Sequence, residues 1–358
     1  MKCLGISVYP GNATTDRYIE YLELASSYGF SRVFTCLIST DDSHILQFKE
    51  ITKAATKLGM EVIADVNKDA LKKIGINYKN LEQLHELNLT GIRLDEGFGG
   101  VEESLMSFNK ENFKIEINMS NGTKQIENIL AFQPNKENII GCHNFYPHRY
   151  TGLSRKHFIN CSKVFKENGV RTAAFVTSQN GEFGPWPVNE GLCTLEEHRF
   201  LPIEVQAKDL FNTEFIDDVI IGNCFATDEE LKKLSNLNRN LLSLKVNLYE
   251  NISYIQRKIL LDEEHFNRGD VSEYMIRSTQ SRVKYRNEYF EPLNIREIKK
   301  GDVLIESSLY KRYSGELQIA LKDMKNSGKT SVVGRISEEE IYLLDYIRPW
   351  QKFKFEES

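Results

Sequence analysis

The sequence of 358 residues has no apolar run near the ~18 consecutive residues that a membrane crossing needs, so no membrane partner is expected. The opening MKCLGISVYP reads as a first strand, and it lacks the long apolar region and small-residue cleavage site of a secretory leader. Positive charge is not in excess: 46 Lys and Arg face 51 Asp and Glu, a net charge of -5, which gives no general attraction for nucleic acid. The six cysteines, at 3, 36, 142, 161, 193 and 224, show no metal-ligand spacing and read as free thiols of a reducing compartment. A cytoplasmic protein is the expectation. The glycine cluster Gly97-Phe98-Gly99-Gly100 is neither a GxGxxG nor a P-loop, so no nucleotide fingerprint is present. No cofactor and no metal are expected.

What the chain does have is a repeated alternation of short apolar runs with helical patterns. Strands are expected at 3–8, 32–38, 61–66, 91–96, 114–120, 138–144, 171–177 and 218–223. The intervening helices follow from apolar spacing, as in Tyr18, Tyr21, Leu22 and Ala25, then Ile51, Ala54, Ala55 and Leu58. Eight such repeats predict an α/β protein built as a (β/α)8 TIM-type barrel over 1–238. From 239 to 358 the runs become strand-like, at 244–249, 274–279, 303–307, 317–321, 331–336 and 341–347, which predicts a small, mostly β second domain.

Side chains alternate between the two faces of a strand, so apolar Ile92 and Leu94 facing the helices would turn Arg93 and Asp95 inward. The same reasoning sends Glu116, Asn118 and Ser120 inward. Ser7, Asp65, Asp95, Asn118, His143, Thr177 and Asn223 then form a polar ring at the carboxyl ends of the strands, where barrels place their sites. Asp65 and Asp95 suit acid-base work on a glycosidic bond, one carboxyl protonated and the other ionised, with Glu96 in reserve. The alternative is an Arg93-centred ion-pair network that only fills the barrel. His143 is either a core histidine or a hydrogen-bonding partner for sugar hydroxyls or a carboxylate, and it opens a polar loop holding Asn144, Tyr146 and Arg149. The loop 178–194, rich in Gly and Pro, is long enough for a lid or subsite wall, and its Trp186 could stack on a sugar or pack the loop.

Three stretches, NFYPHRYTGL at 144–153, GP at 184–185 continuing through EGLCTLEEHR at 190–199, and YKRYSGELQI at 310–319, resemble the bacterial exo-6-phospho-N-acetylmuramidases, older members of which were labelled outer surface proteins. The resemblance spans nearly the whole chain. It implies a TIM-type barrel, a cyclophilin-like C-terminal domain covering the barrel mouth, and hydrolysis of N-acetylmuramic acid 6-phosphate linked to N-acetylglucosamine in peptidoglycan recycling. It also brings Glu190 into the site. A phosphate and a lactyl carboxylate on one sugar require two cationic or amide-rich pockets. Arg149 with Thr151 and Gly152 is the expected first pocket, and Arg277 with Ser278 and Arg282 the second.

Two other functions compete with this one. A barrel lyase or aldolase on a phosphorylated sugar would want a Schiff-base lysine, and Lys68 is the nearest to a strand end. A non-catalytic sugar-phosphate binding protein is the other. The sequence does not decide between a monomer and a homo-oligomer.

Overall fold

The computed structural model describes residues 2–38, 40, 42–73, 75 and 77–358. The chain divides into two compact units, Met1–Leu237 and Asn238–Ser358.

In the first unit, β1 (Cys3–Val8), β2 (Arg32–Cys36), β3 (Glu61–Val66), β4 (Gly91–Leu94), β5 (Lys114–Asn118), β6 (Ile139–Cys142), β7 (Arg171–Val176) and β8 (Asp218–Ile221) form a closed barrel in that order. Every neighbour is parallel, and β8 closes on β1 with Cys3 opposite Asp218. Several strands stop two residues before the polar positions expected to end them. The ladder releases those residues into loops.

The helices are α1 (Thr15–Ser27), α2 (Ile45–Lys57), α3 (Lys68–Lys73), α4 (Val101–Met106), α5 (Gln125–Ala131), α6 (Arg155–Glu167), α7 (Ile203–Asn212) and α8 (Asp228–Ser235). Helix α6 begins where the Ser154 hydroxyl accepts from the His157 amide, and it buries Phe158, Cys161, Ser162 and Phe165 at helical spacing. Gly169 follows it at φ +74°, where an added Cβ would meet nothing, so backbone conformation alone explains that glycine. The outward faces of the strands and the inward faces of the helices make one apolar core. Among the described residues no helix is long and apolar enough to cross a membrane.

The second unit is mostly β. It holds β9 (Leu242–Leu248), β10 (His265–Phe266), β11 (Met275–Ser278), β12 (Asp302–Glu306), β13 (Leu317–Ala320), β14 (Thr330–Ile336) and β15 (Lys352–Glu357), with short helices α9 (Tyr254–Leu261) and α10 (Gln280–Lys284). The sheet order is β10-β15-β9-β14-β12-β13-β11. The strand expected at 341–347 is instead a 3-10 helix, Glu338–Tyr346, which opens on three consecutive glutamates, the acidic first turn that favours a helix start. The last strand is β15, whose Phe353 and Phe355 are buried between Lys352, Lys354 and Glu356.

Candidate active site

Along β3, Val62, Ala64 and Val66 pack into the core beneath the helices, and Asp65 takes the opposite face. Arg93 stands directly across from it on β4. The guanidinium is 3% exposed; its Nη1 donates to Asp65 Oδ1 at 2.7 Å and lies 3.5 Å from Asp95 Oδ1, while Nη2 donates to the side-chain oxygen of Asn144. Arg93 thus gathers residues from the ends of β3, β4 and β6.

Burial raises the Asp65 pKa to about 6 against the lowering effect of Arg93, with Asp95 adding to the rise. For Arg93 burial opposes the charge, but Asp65 beside it, together with other groups including Glu116, more than compensates and holds the pKa above its ordinary value. Asp95, one residue past the end of β4, has a side chain 45% exposed. Glu96, the next residue, is exposed. Lys68 lies in α3 with its amine 4.9 Å from the centroid of the Phe98 ring.

Below this cluster Phe34, Phe145 and Phe175 meet edge to face at 5.1 to 6.0 Å. Two residues before Phe34, Arg32 pairs with Glu116 and, at 2.5 Å, with Asp218; Arg171 joins Asp218 and Glu61 at 2.7 and 3.1 Å. This buried network sits near the strand starts. Glu116 belongs to it and is fully buried. Sequence reasoning missed Arg32 and Asp218, whose only signal was a charge opening an apolar run.

His143 is not in the polar ring. It lies just past β6, and its imidazole points away from the barrel interior toward α6, with Nε2 2.8 Å from the Ser162 hydroxyl and Nδ1 3.2 Å from that of Ser120. Burial lowers its pKa to about 3, so it is neutral, and both ring nitrogens are occupied by serines rather than by anything at the mouth. It acts on the site at one remove: the same Ser120 hydroxyl accepts from the Asn144 amide at 2.8 Å. Asn118 supports the same corner, accepting from the Ser120 amide at 2.9 Å and donating to the Asp95 carbonyl at 3.5 Å. Tyr146 is partly buried, and burial raises its pKa. Ser7 is fully buried.

The anion pocket expected at Arg149, Thr151 and Gly152 is filled by the protein's own carboxylates. Glu190 receives the Arg149 amide at 3.1 Å and pairs with its Nε at 3.2 Å. Glu196 accepts from the Tyr150 and Gly152 amides at 2.9 and 2.8 Å, and the Thr151 hydroxyl donates to the His148 carbonyl. Arg199 holds Glu196 through two bonds of 2.6 and 2.7 Å, and that pairing lowers the Glu196 pKa to about 2. These are loop-shaping contacts. Arg149, Glu190 and Thr177 line a separate small cavity, where the Thr177 hydroxyl also accepts from the Leu192 amide. A similar substitution explains the glycine cluster after β4: the buried Glu103 carboxylate takes the amides of Phe98, Gly99 and Gly100.

In the second unit Arg277 and Arg282 converge, each 2.8 Å from one oxygen of the buried Glu316. Ser278 does not join them. Alternation along β11 turns it to the other side, where its hydroxyl meets His265 Nδ1 at 3.0 Å.

Comparison with known proteins agrees with this architecture. Residues 4–236 match the model of the 6-phospho-N-acetylmuramidase N-terminal region, and 242–356 match that of its C-terminal region. Among curated proteins none matches. The crystal structure of an uncharacterized B. cereus protein is 47% identical, covers 99% of each chain and superposes with a TM-score of 0.92. That of a conserved Enterococcus faecalis protein of unknown function is 26% identical, covering 99% of this chain and 96% of that one, with a TM-score of 0.73. The chain therefore belongs to the 6-phospho-N-acetylmuramidase family and is a glycosidase.

Proposed function

We propose that the enzyme removes 6-phospho-N-acetylmuramic acid from the non-reducing end of its β-1,4-linked disaccharide with N-acetylglucosamine, in the cytoplasmic recycling of cell-wall sugars. Asp65 and Asp95 are the carboxylate pair. The observation that carries this reading is their meeting on one nitrogen of the buried Arg93.

Glycoside cleavage needs one carboxyl that can carry a proton and one that acts ionised. Asp65, buried and with its pKa raised to about 6, suits the proton donor. Asp95, open to water at the strand end, suits the ionised partner. Arg93 keeps both in register and, through Asn144, ties them to the loop after β6. Two oxygens that lie 2.7 and 3.5 Å from the same nitrogen stand closer together than the ~6.5–9.5 Å by which an inverting pair makes room for water, so retention of configuration is expected.

The test is mass-spectrometric product analysis with the phosphorylated disaccharide beside its unphosphorylated form. N-acetylglucosamine released only from the phosphorylated compound supports the reading. Equal release from both, or none from either, sinks it. Proton NMR of the first-formed sugar checks the stereochemistry: appearance of the α-anomer before mutarotation would contradict retention.

A further inference from the structure

Cavities open among the loops that follow the barrel strands, and their charge separates them. One of about 670 Å³ has Lys124 in its wall. Another, of about 190 Å³, has Arg149 and Arg199. A third, of about 380 Å³, has neither lysine nor arginine among the described residues of its lining; its wall combines the flat faces of Tyr9, Pro185 and Trp186 with the imidazole of His44 and the polar ends of Asn12, Glu182 and Asn189.

The polar atoms of this third wall are fixed from behind. Arg17 binds both Glu182 oxygens, at 2.5 and 3.0 Å, and rests 3.9 Å from the centroid of the Phe225 ring. The Asn189 amide donates to the Gly181 and Glu182 carbonyls at 3.3 and 3.2 Å, and that of Asn12 to the Tyr9 carbonyl at 3.0 Å. Trp186, between two prolines, keeps 45% of its surface open. Such a wall suits an uncharged pyranose, whose C–H face stacks on an aromatic ring while its hydroxyls donate to carboxylate and amide oxygens. Among its described residues it offers an anionic sugar no lysine or arginine. Tyr9 also leads from the cavity toward the barrel: its buried hydroxyl donates to the Gly222 carbonyl, one residue past β8, and its pKa is raised chiefly by burial, with Asp65 a smaller contributor.

We infer that this cavity is the subsite for the neutral leaving-group sugar, an N-acetylhexosamine, with Trp186 stacked against its ring. The inference rests on the disaccharide reading proposed above and adds which half of the substrate goes where. The phosphorylated half carries two anions, and the leaving half carries none.

The experiment compares two substrates of the full-length enzyme, the phosphorylated disaccharide and 6-phospho-N-acetylmuramyl fluoride, whose leaving group is a single atom that fills no subsite. Trp186→Ala should lower kcat/KM on the disaccharide about tenfold, mainly through KM, and on the fluoride less than about twofold; Trp186→Tyr should recover most of the loss. Because Trp186 sits on an exposed loop, the alanine variant keeps the core intact. Equal losses on both substrates, or no loss on either, overturn the subsite while leaving the disaccharide reading in place. Wild-type enzyme inactive on both compounds overturns that reading and this inference with it.

Discussion

Burial disfavours charge on both Asp65 and His143, with opposite consequences for their protons. Asp65 has its pKa raised to about 6, so it holds a proton below that pH and releases it above. As proton donor it makes kcat/KM fall as pH rises through about 6. A pH–rate profile checks this, and a profile that instead rises through pH 6 would give Asp65 the base or nucleophile role. His143, with its pKa lowered to about 3, stays neutral in the fold while the unfolded chain takes up a proton near 6.5. Its contribution is therefore complete above 6.5 and is lost as pH falls toward 3. Between pH 7 and pH 5 the expected loss is about 2 kcal/mol, read as the change in urea-unfolding free energy, and His143→Gln should flatten that dependence. The inward turn of Asp95 was legible from strand alternation, because Ile92 and Leu94 mark the helix-facing side around Arg93, whereas Asp65 was legible only from its place at the end of its strand. The orientation of His143 was not. Ile139, Ile140 and Cys142 are all buried, so the run before it is apolar on both faces and its phase carries no signal.

At the level of elements, the site depends on close passage of β4 against β5. A Cβ on Gly91 would sit 2.5 Å from the Lys114 carbonyl oxygen and 2.6 Å from Ile63 Cδ1, contacts that only a shift of the strand relieves. Gly91→Ala should cost about 1–3 kcal/mol of stability and lower kcat, since Arg93 and Asp95 follow on the same strand. The network lower in the barrel is held by Arg32, and Arg32→Met leaves Glu116 and Asp218 buried with less compensation. About 3–5 kcal/mol of destabilisation is expected, measured by chemical denaturation, with unfolding as the extreme result. An unchanged midpoint would mean that the network contributes no net stability. Strand positions were readable because each carries a short apolar run; 341–347 misled because an apolar run can also pack a 3-10 turn, as buried Leu343 and Leu344 do. The loops after β4 and β6 were harder still. The stretch Arg149–Gly152 was expected to hold an anion, yet Glu196, far away in sequence, takes its amides, as Glu103 takes those of the glycine cluster after β4.

Across the whole molecule, barrel closure brings strand ends that lie far apart in the chain onto one guanidinium. Asp65, Arg93, Asp95 and Asn144 meet because β3, β4, β5 and β6 are consecutive in a closed parallel sheet. The alternation of strand and helix was enough to predict the barrel, and three motif stretches were enough to suggest the family. Neither indicates which loops spend their donors internally, since that depends on side chains reaching across the fold. The central claim is that the carboxylates on Arg93 perform the chemistry, and its most direct test is kcat/KM for the phosphorylated disaccharide with Asp65→Asn and Asp95→Asn, each verified as folded. A loss of about 10²–10⁴-fold or more is expected in each variant. Retention of activity within about tenfold by either one would place the catalytic pair elsewhere in the barrel and contradict it.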